Sequence, residues 1–275
     1  FTILNAVPIT SIVYPTFGTN LSNVSGPIRI NGTINTTINS INYNSVKVHI
    51  FNSTGSIQQT LGVSGVFSGA QINWNTTFDV AILSDGVYNF SINVSDSIGT
   101  YNDSVRVNGL LVDNKKPNGT FIRPIQGENI TSNFVLNGTF ADSSSGVVSV
   151  KVILKNLTNL VSGTYNATIN NNTGVWNVTL SSTSVATGTY NVTLNVTDGA
   201  GSFNDSVHVL LLIIDNTAPT ISSLGKTPGF HNAVIAFDTD EVANATLDYG
   251  TGAGLGTTAI IDSTFLISHT ITVGS

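Results

Sequence analysis

Thr187-Gly-Thr-Tyr-Asn-Val-Thr-Leu-Asn-Val-Thr-Asp198 is the stretch of this 275-residue chain that decides the fold. Successive side chains of an extended strand point to opposite faces. One face of this stretch carries Tyr190, Val192, Leu194 and Val196, whereas the other alternates Asn and Thr. The pattern predicts a strand with one buried apolar face and one wet face that carries almost no charge.

The same stretch occurs earlier as Asp85-Gly-Val-Tyr-Asn-Phe-Ser-Ile-Asn-Val-Ser-Asp96, exactly 102 positions before. Other pairs share this separation: Trp74 with Trp176, Tyr88 with Tyr190, and Pro117 with Pro219. Nearer the start, Ser45 pairs with Ser149 and Asn31 with Asn137, at separations of 104 and 106. A period near one hundred residues is too long for a solenoid unit and matches a whole immunoglobulin-sized sandwich.

The chain between these repeats also has the pattern of a β-sandwich protein. Strand-like runs recur between Gly, Asn and Ser turns, and helical periodicity is not convincing. We predict an all-β protein of tandem immunoglobulin-like β-sandwiches in a rod-like array. The predicted parts are an N-terminal extended segment (1–14), a first domain (15–115), a second domain (116–217) and an incomplete third domain (218–275).

The composition excludes several classes of protein. Net charge is −6 with 9% charged residues, so no basic face is expected and nucleic acid is excluded as a partner. The absence of Cys excludes disulfides and zinc–thiolate sites, and favours a prokaryotic, in our interpretation archaeal, surface protein. Because the chain starts at Phe1 with no targeting segment, we expect a cleaved signal and an extracellular location.

The longest apolar run is Val209 to Ile214, far short of the roughly 20 residues that a membrane helix needs. We therefore expect no membrane span in this segment. The run breaks strand alternation and is apolar on both faces. It predicts a strand covered on both sides, by a neighbouring domain or another subunit.

Asn172-Thr-Gly-Val-Trp176, Val196-Thr-Asp-Gly-Ala-Gly201 and Asp215-Asn-Thr-Ala-Pro219 resemble the Big-type immunoglobulin-like repeats of bacterial and archaeal surface proteins. The chain departs from that pattern at Ser202, where the repeats have Asn, and the first copy has the weaker Asp96-Ser-Ile-Gly99. The resemblance implies a rigid extracellular spacer, adhesin or structural module and fixes no activity.

The last segment is similar to the front half of a fibronectin type III domain. The resemblance rests on Ala233-Val-Ile-Ala-Phe-Asp-Thr-Asp-Glu241, Ala245-Thr-Leu-Asp-Tyr-Gly-Thr251 and Ser268-His-Thr-Ile-Thr-Val273. A sandwich needs roughly 90 to 100 residues, so the final strands are missing. Two explanations stay open: the protein continues beyond residue 275, or a partner supplies the strands.

The strongest chemical signal is the N-glycosylation motif Asn-x-Ser/Thr. Random order of the 33 asparagines and 66 Ser and Thr residues gives it roughly eight times, about half as often as observed. Wet strand faces rich in Asn and Thr produce the motif automatically, which is the alternative explanation, although several motifs lie in turns. We expect covalent N-glycans on several, but not all, of these sites: Asn20, Asn23, Asn31, Asn35, Asn52, Asn75, Asn89, Asn93, Asn102, Asn118, Asn129, Asn137, Asn156, Asn166, Asn171, Asn177, Asn191, Asn195, Asn204 and Asn244.

Acidic residues gather near the predicted domain joints. Calcium prefers several oxygen ligands, and such joints suit it, whereas the simpler explanation is that Asp caps turns without a metal. The candidate calcium ligands are Asp96, Asp103, Asp113, Asp198, Asp205 and Asp215. No other metal or cofactor is expected.

The remaining candidates have structural interpretations. We expect Trp74 and Trp176 to be core anchors rather than sugar platforms, and the hydroxyls of Tyr88 and Tyr190 to bind backbone as in a tyrosine corner. The four histidines lack metal-ligand spacing and no catalytic motif is evident, so we expect no enzyme activity.

Two functions remain open from the sequence. The first is a subunit of an extracellular filament, sheath or surface layer that self-associates into a homopolymer, with segment 1–13 donated to the incomplete domain of the next subunit. The second is a spacer or adhesin portion of a longer surface protein or extracellular enzyme. The small-molecule ligand, if one exists, is not readable from these residues.

Overall fold

Strand alternation builds two equivalent sandwiches and a separate sheet. The computed structural model describes residues 6–24, 26–35, 39–66, 71–181, 184–250 and 257–274, with the backbone alone given at 66 and 257–262. The chain divides into two units, Phe1–Asp215 and Asn216–Ser275. The first unit contains both copies of the repeat, here called sandwich 1 and sandwich 2.

Sandwich 1 consists of a four-stranded sheet, β1-β3-β7-β6, and a five-stranded sheet, β2-β9-β8-β4-β5. The pairings of its described residues are antiparallel except β2 with β9. The elements are β1 (Ile9–Tyr14), β2 (Asn20–Leu21), β3 (Ile28–Asn35), β4 (Ile41–Asn52), β5 (Ile57–Gly62), β6 (Ser64–Val66), β7 (Gln71–Phe78), a 3-10 helix (Val80–Ile82), β8 (Gly86–Asp96) and β9 (Tyr101–Val112).

Sandwich 2 repeats this topology strand for strand. Its sheets are β10-β12-β16-β15 and β11-β18-β17-β13-β14, again with a single parallel pairing, β11 with β18, among the described strands. The elements are β10 (Asn118–Arg123), β11 (Asn129–Ile130), β12 (Phe134–Ala141), β13 (Val147–Asn156), β14 (Val161–Asn166), β15 (Thr168–Asn170), β16 (Val175–Leu180), β17 (Gly188–Asp198) and β18 (Phe203–Ile214). The sequence repeat is therefore a structural repeat.

The second unit is a three-stranded antiparallel sheet in the order β19-β20-β21. Its strands are β19 (Ile221–Pro228), β20 (Asn232–Tyr249) and β21 (Thr257–Gly274). Among its described side chains, Ala243 and Ile271 are the buried apolar residues. The chain is thus almost entirely β, as predicted.

Each sandwich buries one tryptophan at its centre. Trp74 on β7 and Trp176 on β16 are each 1% exposed, which confirms the prediction that both belong to the core. Gly32 faces Trp74 on the neighbouring strand, and a Cβ there would lie 2.6 Å from the indole ring and 1.9 Å from a backbone oxygen. Gly138 is equally restricted beside Trp176. Each indole can therefore pack only because its neighbour lacks a side chain.

The tyrosines also take their predicted role. The hydroxyl of Tyr88 donates to the carbonyl oxygen of Ser84 at 2.9 Å, and that of Tyr190 to Ala186 at 2.8 Å. Both rings are buried, so the bond satisfies the polar end of each side chain inside the core. Each sandwich therefore has a tyrosine corner.

The expectation for the N-terminal segment needs correction. The segment 1–14 is not free along its length, because Ile9–Tyr14 forms β1 and pairs with β3 in its own sandwich. Asn102 also binds the carbonyl oxygen of Pro8 at 2.8 Å, and the equivalent Asn204 binds Pro117. Residues 1–5 lie outside the described part of the chain. Donation of segment 1–13 to a neighbouring subunit would therefore require sandwich 1 to lose an edge strand.

The apolar run from Val209 to Ile214 is not covered on both sides within the described structure. Leu212 and Ile214 are buried, but Leu210, Leu211 and Ile213 are 38–46% exposed. Alternation breaks because Leu211 adopts φ = 60° at an irregularity in the β17–β18 register. A β-bulge accounts for the break in alternation, and cover by another subunit stays a prediction.

Candidate functional site

The junction between the two sandwiches is held by hydrogen bonds from both sides. Asn20 Nδ2 on β2 donates to the carbonyl oxygen of Gly199 at 3.1 Å, and Ser22 Oγ donates to that of Ala200 at 2.8 Å. These two contacts fasten the end of sandwich 1 to the turn between β17 and β18. The sandwiches are therefore linked by specific contacts as well as by the connecting chain.

Asp113, which directly follows β9, forms the other half of the junction. Its Oδ2 accepts hydrogen bonds from the backbone nitrogen of Ser145 at 2.9 Å and from Ser145 Oγ at 2.6 Å. Its backbone nitrogen donates to the carbonyl oxygen of Leu21. Asp113 is fully buried, so a carboxylate from the connecting chain is enclosed between the sandwiches.

Two aspartates of sandwich 2 lie beside Asp113. Asp142 follows β12, and its Oδ2 accepts from the backbone nitrogens of Ser144 at 3.1 Å and Gly146 at 2.7 Å. Asp198 ends β17, and its Oδ1 holds the following turn through the backbone nitrogens of Ala200 and Ser202. In both residues one carboxylate oxygen accepts the hydrogen bonds of the local loop, and the second accepts none from the described residues.

Together these residues form the carboxylate cluster Asp113, Asp142 and Asp198. One oxygen from each residue lies within 4.8 Å of those of the other two. Asp142 Oδ1 and Asp198 Oδ2 are buried and have no hydrogen-bond partner among the described residues. Burial raises the pKa of Asp198, with smaller upward contributions from the charges of Asp113 and Asp142. The cluster therefore concentrates negative charge where water cannot fully solvate it.

Lys115 is a cation that interacts with the charges of the cluster but is paired with Asp85. Lys115 Nζ lies 2.9 Å from Asp85 Oδ2, and that hydrogen bond raises the pKa of Lys115, with further contributions from the charges of Asp113 and Asp142. Its side chain is 69% exposed, so solvent weakens its attraction to the cluster. Lys115 reduces the local negative charge but does not bind the unpartnered oxygens.

Asp142 also gives the cluster a route to solvent. It lines a cleft of about 370 Å³ together with Phe140 and Asn171. It also lines a second cleft of about 230 Å³ that includes Lys115 and Lys116. A small cation could reach Asp142 from either side.

The six candidate calcium ligands from the sequence separate in the structure. Asp113 and Asp198 come together in the carboxylate cluster. Asp103 and Asp205 are exposed strand residues, and Asp103 Oδ2 accepts from the hydroxyl of Tyr101 at 3.2 Å. Asp96 caps a turn within sandwich 1, and Asp215 binds the carbonyl oxygen of Ile130 through its backbone nitrogen. Equivalent aspartates therefore share an environment on the strands, at Asp103 and Asp205, but not in the cluster, which contains Asp113 and Asp198 without their counterparts.

Asp142 was missed by the sequence argument. Its counterpart in the first copy, at the separation of 106 found for Asn31 and Asn137, is Thr36. Searching for acids shared by both copies excludes such a residue. The signal that could have found Asp142 is that its acidic side chain occurs in only one copy of the repeat. Such a difference is informative in a chain with only 15 acidic residues.

The sequon asparagines divide into two groups by exposure. Twelve are half-buried and eight are exposed on the surface. The exposed ones are Asn23, Asn35, Asn118, Asn129, Asn166, Asn171, Asn177 and Asn244. For Asn23 and Asn35, the Ser or Thr that completes the motif lies outside the described residues. The exposed group presents its side-chain nitrogens to solvent, as a glycan acceptor must.

Several half-buried sequons have a structural explanation. Asn52 Oδ1 accepts from both the backbone nitrogen and the hydroxyl of Thr54, and Asn156 Oδ1 does the same with Thr158. The second residue after Asn thus closes an Asx-turn, and a Ser or Thr there adds a hydroxyl donor. The motif Asn-x-Ser/Thr arises in these turns because of local hydrogen bonding.

Other half-buried sequons hold the bulges of the repeat. Asn89 Oδ1 accepts from the backbone nitrogen of Gly109 at 3.1 Å, and the equivalent Asn191 accepts from Leu211 at 3.3 Å. Asn20 is used at the sandwich junction. The alternative explanation left open by the sequence therefore applies to part of the sequon set.

Comparisons with known proteins give structural similarity alone. No protein-family model matches the sequence, and a search of curated proteins found no match. Solved structures with similarity include the fibronectin(III)-like modules of CbhA from Clostridium thermocellum, at 15% identity over 74% of this chain and 94% of that one, with a TM-score of 0.40. The I9–I11 tandem of titin matches at 10% identity over 97% and 89%, with a TM-score of 0.29.

The FN1–FN3 domains of chicken CNTN1 match at 11% identity, over 98% of this chain and 85% of that one, with a TM-score of 0.29. The fold assignment rests on the strand order and pairing of the chain itself, which give tandem β-sandwiches of immunoglobulin or fibronectin type. Within the described residues, no helix has the length and hydropathy required to cross a membrane.

Proposed function

We propose that the protein is an N-glycosylated structural component of an extracellular cell-surface assembly such as a filament, sheath or surface layer. The observation that carries this proposal is the pairing of two equivalent sandwiches with a nearly uncharged surface that exposes eight sequon asparagines. The proposed role is mechanical rather than catalytic.

The low charge of the surface supports glycosylation. Charged residues make up 9% of the chain, well below the roughly 25% of an average soluble domain. Sheet edges without charge are prone to pair with other chains. Glycans on the exposed asparagines would hydrate these surfaces and cover the edges.

The junction supports a spacer role. Asn20, Ser22 and Asp113 each bind sandwich 2, so the second sandwich has fixed partners on the first. Connections made only by a flexible chain would let the domains move independently. A fixed junction instead maintains spacing, which is what a surface assembly requires.

The second unit supports association with other polypeptides. Its strands and the turn between β19 and β20 leave large apolar side chains in solvent, at fractional exposures of 49–94%. These residues are Ile221, Leu224, Phe230, Val242, Phe265, Leu266 and Ile267. Contiguous exposed apolar surface marks interaction sites in many proteins. We propose that this unit contacts another copy of the chain in a homopolymer.

Glycopeptide mass spectrometry of the protein isolated from its native cells tests the glycosylation proposal. We expect glycans at exposed sites such as Asn118 and Asn177, and unmodified peptide at the structural Asn102 and Asn204. Asn102 and Asn204 serve as matched controls because their Nδ2 atoms already donate to backbone oxygens. Unmodified asparagine at all eight exposed sites would refute the glycosylation proposal.

Electron microscopy and sedimentation of the same native material test the assembly proposal. We expect ordered polymers, and their contacts should include the exposed apolar residues of the second unit. Replacing Phe265 by Asp should then shift sedimentation toward the single chain. A native protein that is monomeric at every concentration tested would contradict the homopolymer.

A second candidate is a spacer or adhesin portion of a longer surface protein. The observation that favours it is the three-stranded second unit, which has fewer strands than either sandwich and leaves most of its side chains exposed. Further strands from the same polypeptide could cover this sheet. A native polypeptide whose deglycosylated mass clearly exceeds 28.8 kDa would favour this candidate over the homopolymer.

A further inference from the structure

We infer that the carboxylate cluster Asp113, Asp142 and Asp198 binds a divalent cation of the calcium class at the junction of the two sandwiches. The site is independent of the cell-surface role proposed above. It follows from the geometry of three side chains and from two oxygens that have no other partner within the described parts of the chain.

The buried carboxylate charge of the cluster is not fully compensated by the described residues. A buried carboxylate is costly unless a positive charge or hydrogen bonds compensate it. Asp198 is 1% exposed, and its Oδ2 has no partner among the described residues. Asp142 Oδ1 is also buried and unpartnered. Among the described residues, two buried acceptor oxygens therefore lack a donor or cation in a cluster that already contains the charge of Asp113.

The spacing of the carboxylate oxygens suits a single metal ion. One oxygen from each of the three residues lies within 4.8 Å of the others. Oxygens that coordinate one Ca²⁺ at 2.3–2.6 Å from the metal must lie within about twice that distance of each other. The observed spacing meets this limit without movement of the backbone.

Hydrogen bonds hold the three carboxylates in fixed orientations. Each carboxylate already uses an oxygen to accept bonds, Asp113 from Ser145, Asp142 from Gly146 and Asp198 from Ser202. Such bonds fix the orientation of the carboxylates before any ion binds, as supporting hydrogen bonds do in known metal sites. Asp113 Oδ1 also accepts from the backbone nitrogen of Lys115 at 3.2 Å, whereas Asp142 Oδ1 and Asp198 Oδ2 have no partner among the described residues. Binding an ion therefore costs little further side-chain entropy.

The choice of calcium follows from ligand type. All three side chains offer hard oxygen atoms, and the chain has no Cys to attract softer metals. Ca²⁺ accepts six to eight oxygens in irregular geometry, so water can supply the rest through the clefts beside Asp142. Mg²⁺ requires a near-ideal octahedron and is expected to bind more weakly.

The consequence is a stronger junction. Asp113 belongs to the chain leaving sandwich 1, whereas Asp142 and Asp198 belong to sandwich 2. An ion bound to all three would connect the sandwiches and neutralise charge that otherwise opposes their approach. We expect a Kd in the range of about 10⁻⁴ to 10⁻³ M, typical of extracellular calcium modules.

Thermal unfolding and calorimetric titration of the full 275-residue chain test the site. The chain is first freed of metal with EDTA, then titrated separately with CaCl₂ and MgCl₂. We expect one Ca²⁺ per chain and a rise of at least about 4 °C in Tm at saturating calcium. Magnesium at the same concentration should give less than half of that rise.

Asp142→Asn is the first variant, because its amide oxygen can still accept from Ser144 and Gly146. We expect its calcium affinity to fall at least 10-fold. Asp198→Asn is the second variant and should have the same effect. Asp205→Asn, an exposed acid in the same sandwich, is the matched control and should keep the affinity of the parent chain.

Three results would overturn the inference. The first is an unchanged Tm with no heat of binding at about 10 mM calcium, ten times the weakest expected Kd. The second is full calcium affinity in both Asp142→Asn and Asp198→Asn, which would place the ion elsewhere. The third is equal loss in Asp205→Asn, which would indicate general charge screening.

Discussion

Asp96 and Asp198 occupy the same position in the two sandwiches, yet their environments are opposite. Each uses Oδ1 to accept two backbone hydrogen bonds from the following turn. In sandwich 1 the second oxygen of Asp96 accepts from Asn39 Nδ2 at 3.0 Å. In sandwich 2 the second oxygen of Asp198 has no partner among the described residues and lies beside Asp113 and Asp142.

The pKa directions of the two carboxyls follow this difference. Burial alone would raise the pKa of Asp96, but hydrogen bonds from Asn39, Thr100 and Ile98 outweigh it and lower the pKa. For Asp198, burial raises the pKa, and two turn hydrogen bonds do not outweigh it. The repeat therefore preserves the turn, whereas the surroundings at the junction reverse the direction of the pKa shift of the equivalent aspartate.

Gly109 and Leu211 form a second such pair. Both have positive φ, 69° and 60°, at equivalent bulges held by Asn89 and Asn191. Glycine adopts this conformation without strain, whereas a residue with a Cβ costs roughly 1–2 kcal/mol there. Sandwich 2 therefore keeps the bulge at the expense of local strain.

The largest effect is expected where the two sandwiches are most alike. Gly32→Ala places a Cβ against Ser11 O and the ring of Trp74, and Gly138→Ala does the same beside Trp176. Because the backbone oxygen cannot move aside, each variant should lose about 3 kcal/mol or more of stability in its own sandwich. Peptide-resolved hydrogen exchange in urea measures which sandwich opens.

Gly62→Ala is the matched control, because a Cβ there meets only the end of the Lys47 side chain at 3.9 Å. It should leave both sandwiches intact. Both test variants preserve the Asn-x-Thr motif, so any loss reflects packing rather than a missing glycan. A stable Gly32→Ala variant would mean that the indole and glycine do not pack as described.

The next largest effect is a change in Tm of opposite sign when Asp96 and Asp198 are each replaced by Asn. Without metal, Asp96→Asn places an amide nitrogen against the donor Asn39 and should lower the Tm of sandwich 1 by several degrees. Asp198→Asn removes one of three mutually repelling charges and should raise the Tm of sandwich 2. Calorimetry in EDTA measures both changes. Shifts of the same sign in both variants would contradict the proposed difference between the copies.

The lowered pKa of Asp96 also predicts an acid dependence of sandwich 1. A carboxyl with a lowered folded-state pKa contributes stability above its ordinary value of 3.8, and loses it as the pH falls through the folded value. We expect the urea midpoint of sandwich 1 to fall below pH 3.8. The decrease should be smaller in Asp96→Asn, which has no such carboxyl. Equal acid dependence in both proteins would assign the decrease to other groups.

The bulge pair should respond in opposite directions to exchanged residues. Leu211→Gly removes the strain of φ = 60° but adds conformational freedom to the unfolded chain, so it should stabilise sandwich 2 by at most about 1 kcal/mol. Gly109→Leu introduces that strain, with a Cβ 3.2 Å from Phe17, and should destabilise sandwich 1 by about 1–2 kcal/mol. Urea unfolding measures both. Leu211 is 46% exposed, so little buried area is lost.

Much of the fold could be predicted from the sequence because strands have a two-residue period. Alternation placed Tyr190, Val192 and Leu194 on one face, and these residues are buried. The repeat with its single tryptophan likewise indicated one core per copy. Both signals are local, or depend on comparing two stretches, so neither requires knowledge of how the loops meet.

The first strand and the carboxylate cluster were harder to predict. Ile9–Tyr14 corresponds to Asn118–Arg123 at a separation of 109, which differs from the 102 of the clearer part of the repeat. Asp142 has no acidic counterpart in the first copy. Its role depends on a loop of sandwich 2 approaching Asp113 in three dimensions. The periodicity of the sequence carries no information about which loops lie close together in the folded chain.

The smallest stability effect is expected at Lys115, a charged residue that differs between the two copies. Its ion pair with Asp85 is absent from sandwich 2, where the equivalent residues are Thr187 and Thr217. Because Lys115 is largely exposed, Lys115→Met should change the Tm by less than about 2 °C. The same change removes a positive charge that attracts Asp113 and Asp142. Calcium affinity should therefore rise by about 2-fold to 5-fold, since less positive charge opposes the ion.

Lys116→Met is the matched control for this prediction. Lys116 carries the same charge one position later, but its ammonium lies 5.6 Å from the centre of the Phe203 ring. We expect calcium titration to give the parent affinity in this variant. Equal rises in both variants would indicate a general effect of net charge, whereas weaker binding in Lys115→Met would mean that the lysine helps to form the site. A rise confined to Lys115→Met would identify Lys115 as the residue that moderates the charge of the junction.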